Sequence, residues 1–196
     1  MDASPQSTPV TVYEALPWLG MTLDYTDKLV ELLPEELLDT RPADPSGHFF
    51  FSFAELAMHI ADARSMFARQ LAGSDSEEGY WSEGPGEDDV WQFKPHGGKQ
   101  AIVASLAAAR EELQPWGARP VSELLAESEG TRKVYQKYLD GCKEKGKEPD
   151  GGVLRRGPAN IMRVLMGLSV HEAGHRGALQ TLLRLHGVDT SKVWGE

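Results

Sequence analysis

Cysteine is nearly missing from this chain. Cys142 is the only one in 196 residues, which excludes an internal disulfide framework and a Cys-rich zinc knuckle. Basic charge is also scarce: 20 Lys and Arg face 30 Asp and Glu, a formal net charge of −10 at pH 7. A chain of that balance repels phosphate backbones, which argues against nucleic acid as a partner. No apolar run approaches the roughly 18–20 residues that span a bilayer. The opening MDASPQSTPV has neither the basic nor the apolar region of a secretory signal. These absences lead to the expectation of a soluble cytoplasmic protein without a membrane partner. Alternating apolar and polar residues, the mark of a half-buried strand, are not evident either.

What is present suffices for a core. The chain is 40% hydrophobic, with 5 Trp, 5 Tyr and 6 Phe, which argues against global disorder, and its length suits one domain over residues 1–196. Helical periodicity recurs. From about Thr11 to Leu33, the residues Leu19, Leu23, Thr26, Val30 and Leu33 share a face. Thr11 and Glu14 resemble a capping box, and Pro17 sits too deep for one continuous helix, so a break is expected near Leu16. A second helix, about Ser52 to Ala72, opens on Ser52 and Glu55, the same capping signature. It buries Leu56, Ile60, Ala63, Phe67 and Leu71 and stops at Gly73.

Residues 73–98 change character, with acidic residues, several Gly and the aromatics Tyr80, Trp81, Trp91 and Phe93. A loop this long is either a lid or mobile surface. A short Ala-rich helix follows, about Lys99 to Leu113, punctuated by Pro115, Gly117 and Pro120. A longer one is expected over about Val121 to Lys143, with Leu124, Leu125, Ser128, Thr131, Tyr135, Tyr138, Leu139 and Cys142 to one side. KEKGKEPDGG reads as a solvated connection. The last helix is expected from Pro158 to His186, with Pro158 in its first turn and Gly187 as the stop. Four long helices and a short one imply an all-α bundle.

Chemistry enters through histidine. His171 and His175 are four apart and stack on one helical face among Ile161, Leu165, Leu168, Leu179 and Leu182. His59 lies beside Leu56, Ile60 and Ala63 on the inner side of its helix. Inward imidazoles need partners, because an unpaired buried polar group costs about 1–3 kcal/mol. Local hydrogen bonds are one solution; a shared divalent cation is another, and neutral imidazole suits Zn, Ni, Cu or Fe. Periodicity cannot attach His59 to the pair. His186 continues the stripe but lies about 22 Å beyond His171 along the axis, so it reads as a helix-end residue beside the dipole. His48 and His96 fall in loops. Glu55 reads as a cap, with orientation of the His59 ring as the alternative. Cys142 reads as an inert thiol.

Two segments carry a resemblance. FAELAMHIADARSMF is similar to the second helix of the DinB/YfiT-like superfamily, and LMGLSVHEAGHRGALQTLLRLHGV resembles that family's fourth helix, with its H-x-x-x-H-R-G run. The resemblance implies a four-helix bundle with a long crossover, to which this sequence adds the short extra helix and the acidic insertion. It also implies a divalent metal, Zn or Ni first, held by His59, His171 and His175. Gly174, often a further His, and Ala178, often Gln, depart from the family pattern without removing a ligand.

The same resemblance implies a small-molecule substrate and S-transfer chemistry with a low-molecular-weight thiol such as bacillithiol, mycothiol or glutathione; read as a lid, the acidic insertion would close over the electrophile. It further implies a homodimer; Gly167 and Gly174, seven apart on one helical face, suggest close approach of another backbone, from a neighbouring helix or a second subunit. A non-catalytic metal-binding stress-response protein is the alternative. His171-Glu172-Ala173-Gly174-His175 also fits H-E-x-x-H, in which Glu172 would be the general base of a metallopeptidase. The extended metzincin form, however, requires Gly and His where Ala178 and Thr181 stand. Glu172 remains a candidate catalytic residue.

Overall fold

The computed structural model describes residues 8–42, 51–73 and 97–194. Among them are seven α-helices and no strand: α1 (Val12–Ala15), α2 (Pro17–Glu31), α3 (Phe53–Ala72), α4 (Lys99–Gly117), α5 (Glu129–Glu144), α6 (Gly151–Arg156) and α7 (Ile161–Leu185). No helix among the described residues is long and apolar enough to cross a membrane.

The expected break falls at Leu16, which ends α1 and precedes α2 with Pro17 in the first turn. Pro17 has no N–H to lose there, so the fixed φ favours a fresh helix start. Thr11 and Glu14 form the full capping box on α1. Ser52 and Glu55 form another on α3, with Glu55 N–H donating to Ser52 Oγ at 3.2 Å and Ser52 N–H donating to Glu55 Oε2 at 2.7 Å. Glu55 also pairs with Arg41. It is therefore a cap, as the sequence suggested. Gly73 closes α3 in the left-handed conformation, φ +76°.

Three boundaries differ from expectation. α4 runs through Pro115 to Gly117. One missing donor in the last turns is tolerated while Trp116 packs inward beneath Arg119, whose guanidinium lies 4.5 Å from the ring centroid. The segment from Val121 is only a single 3-10 turn, Val121–Glu123; α5 starts at Glu129, where the Ser128 hydroxyl caps Thr131 N–H at 3.0 Å. The last helix starts at Ile161 rather than Pro158. Asn160 caps Arg163 N–H at 2.9 Å, and the first free N–H groups of α7 reach back to Ala126 and Leu124 carbonyls. Part of the expected solvated connection is the short α6.

The bundle proper consists of α2, α3, α4 and α7. Around its ring α3 touches α4 and α7, and α2 touches α7 and α4. α2 and α3, consecutive in sequence, are thus diagonal. The Ala-rich segment, read as a minor helix, is a full bundle member burying Ile102, Leu106, Ala109 and Leu113. α5 instead lies outside, against α3, and buries only Gly130 and Thr131. Much of its expected inner stripe faces solvent: Leu125 and Tyr138 are exposed, whereas Leu124, Ser128 and Thr131 are buried.

Two apolar clusters fill the bundle. One joins Leu29, Val30 and Leu33 with Phe53, Leu56, Ile60, Ile102, Leu106, Leu179 and Leu183. The other joins Leu19 and Leu23 with Leu71, Leu113, Ile161, Leu165 and Leu168. Between them the helices bring polar groups inward, and that level holds the site.

Candidate metal centre

His59 on α3 meets His171 and His175 on α7. Their three Nε2 atoms form an equilateral triangle: His59 to His171, His59 to His175 and His171 to His175 are each 3.2 Å. All three rings are half-buried. The sequence placed these residues on inner faces; the fold brings together the one that periodicity could not attach.

Hydrogen bonding cannot satisfy this triangle. Each neutral imidazole nitrogen is either a donor or an acceptor, so two of three must play the same part and one contact must be non-bonding. A cation that accepts all three lone pairs removes the conflict. Nitrogens 3.2 Å apart fit a common cation at about 2.0–2.1 Å from each. Electrostatics favour the same state. Burial, and then the neighbouring charges of His175 and His171, push the His59 pKa down to about 4. Burial lowers His171 as well, and burial with the His171 charge lowers His175. All three rings are consequently neutral near pH 7, with lone pairs available. His171 Nδ1 is buried without a hydrogen-bond partner, so this ring is held by packing, including an edge contact with Phe67 at 6.2 Å between centroids.

Phe51, immediately before the α3 cap, stacks on His59 with centroids 5.4 Å apart and planes 19° apart. Its ring also stands perpendicular to that of His175 at 6.5 Å. Beside His175 opens a cavity of about 570 Å³, walled by Phe51, Leu56 and Leu182.

Behind the triad lies a charged layer for which the sequence reading made no provision. Arg64 is fully buried, and Glu172 is 1% exposed. Arg64 Nε donates to Glu172 Oε2 at 3.1 Å and Nη2 to Glu172 Oε1 at 2.6 Å. Nη1 donates to Asp27 Oδ1 at 2.7 Å, and Nη2 also reaches the Leu23 carbonyl. Arg110 on α4 donates to Asp27 Oδ2 at 2.9 Å and pairs with Asp24. One network therefore ties all four bundle helices together at the level of the triad. Burial by itself would lower the Arg64 pKa, but Glu172 and Asp27 outweigh it and hold it above its ordinary value.

This geometry corrects the reading of Glu172. A general base does not fit, because both carboxylate oxygens accept from Arg64. The sequence signal existed: Arg64 falls four residues after Ile60, a charged side chain on an apolar stripe. His186 is exposed at the α7 terminus, its ring edge-on to Phe53 at 5.3 Å. Cys142 is half-buried. Within the described residues of the chain, no backbone approaches the α7 glycines. A Cβ at Gly167 would meet only the Phe67 ring at 3.4 Å, and at Gly174 or Gly177 nothing within 4 Å. His48, His96 and residues 74–96, the body of the expected lid, lie outside the described residues.

Compared with curated proteins and with solved structures, the chain finds no significant match in either. A family model, that of the DinB superfamily, matches residues 19–179 and so spans α3 and most of α7, including all three histidines. The chain belongs to the DinB superfamily.

Proposed function

We propose that this is a cytoplasmic, divalent-metal-dependent enzyme whose cation, Zn or Ni, is held by His59, His171 and His175. The observation that carries the reading is the equilateral set of nitrogens, which no arrangement of protons satisfies. Three protein ligands leave positions for a substrate. A cation held there supplies Lewis acidity, which lowers the pKa of a bound thiol. The chain's own residues keep the imidazoles neutral, fix α3 against α7 through Arg64 and Glu172, and present an apolar cavity at the edge of the triad.

The reaction class we favour is S-transfer. The sulfur of a low-molecular-weight thiol forms a bond to an electrophilic carbon, the leaving group departs with the bonding pair, and the thiol proton goes to solvent. The cavity beside His175 supports this over a non-catalytic stress-response role, for which a closed site is expected. The metallopeptidase reading lacks its base, since Glu172 is held by Arg64. Zinc- or nickel-loaded protein is expected to consume glutathione, bacillithiol or mycothiol with a generic aryl halide, and His171→Ala to abolish turnover. Full turnover by metal-free His171→Ala would refute it.

Pairing of two copies belongs to the same proposal. The outer face of α7 exposes Met166, Val170 and Leu185 beside the bare Gly174, a smooth surface for a second chain. Light scattering at micromolar concentration should return twice 21.6 kDa; a monomer mass would remove the idea.

A further inference from the structure

The cavity of about 570 Å³ beside His175 lies within the range of small-molecule sites, about 300–1,000 Å³, and its lining chemistry is one-sided. Phe51, Leu56 and Leu182 form the walls, and Gly177, Ala178 and Thr181 on α7 form the rim. None of these carries a charge. The single hydroxyl, Thr181 Oγ1, donates to the Gly177 carbonyl at 2.9 Å and is directed at its own helix. Among the described lining residues, only His175 offers a polar side chain to an occupant, and it belongs to the triad.

We infer that this cavity is the subsite for the uncharged, apolar part of the electrophilic substrate, an aryl or branched alkyl group, whose reactive carbon is thereby turned toward the triad. An ionised group would give up part of its hydration and meet no counter-charge among the described lining side chains. An apolar group meets Phe51, itself held by stacking on His59, and gains from burial in proportion to its area. Selectivity then resides in the rim. A Cβ at Gly177 would touch nothing within 4 Å, and Ala178 is the smallest side chain after it, so the entrance is kept wide by two small residues. That the occupant is an electrophile with its reactive end toward the triad rests on the proposed function; the apolar preference rests on the cavity.

Two dyes that share one ring system test this: N-phenylnaphthylamine, which is neutral, and its sulfonate, anilinonaphthalene sulfonate. Fluorescence titration of the full chain is expected to show the neutral dye binding at one per chain and at least tenfold tighter than the sulfonate. Ala178→Phe and Thr181→Trp each fill the cavity from an exposed position on α7, and each should weaken the neutral dye at least tenfold. Equal affinity for the two dyes, or unchanged binding in both filled variants, overturns the inference. Nickel uptake measured by calorimetry on the same preparations reports on the metal site separately. Dye discrimination without nickel uptake leaves the apolar subsite standing and refutes the metal assignment alone.

Discussion

At the scale of the residue, the triad and the Arg64–Glu172 pair make opposite electrostatic demands. The triad requires uncharged rings, and their lowered pKa values have a consequence for stability. An unfolded His titrates near 6.5, whereas native His59 is held down to about 4. Between those values the unfolded chain binds more protons than the native one, so stability falls as pH drops through that window. Metal-free protein should lose melting temperature between pH 6.5 and 4.5 more steeply than His59→Asn; parallel slopes would show that His59 contributes nothing. Glu172 requires its charge. In Glu172→Gln the buried guanidinium keeps only Asp27 as counter-charge, and breaking a buried pair costs about 3–5 kcal/mol. Urea unfolding should show a loss near the lower figure, about 3 kcal/mol. A general base would instead leave stability unchanged. Histidines on apolar stripes were legible in the sequence because the pattern of period 3.6 exposes them. The partner of a buried charge was not, since Arg64, Asp27 and Glu172 lie on three helices and only packing brings them together.

At the scale of the element, the local signals were read well where a cap or a proline acts within one turn. Thr11, Leu16 with Pro17, Ser52 with Glu55, and Gly73 all behave as their chemistry dictates. The failures have tertiary causes. α7 starts late because Asn160 caps it while its first N–H groups bond the carbonyls of Leu124 and Ala126. α5, although amphipathic, is peripheral because it meets α3 by a backbone contact rather than by its apolar stripe. A Cβ at Gly130 would lie 2.3 Å from Gln70 O and Gly73 N. Gly130→Ala must therefore push α5 off the end of α3, at a cost of about 1–3 kcal/mol. Chemical denaturation measures it, and a neutral substitution would mean that α5 is not seated there.

At the scale of the whole molecule, two apolar clusters meet across a charged layer, and the triad sits at that level where α3 passes α7. The arrangement makes the site a property of the bundle: His59 reaches the α7 pair only if the helices hold their register, which Arg64 fixes from α3 to α7, α2 and, through Asp27, α4. The DinB superfamily match over residues 19–179 covers the triad and the Arg64 network. The most direct test is calorimetric titration of nickel or zinc into metal-free protein at neutral pH, wild type beside His59→Ala. One cation per chain is expected for the wild type, with affinity reduced by on the order of a hundredfold or more in the variant. Wild-type protein that takes up no cation, or a variant that binds as tightly, would contradict the metal assignment.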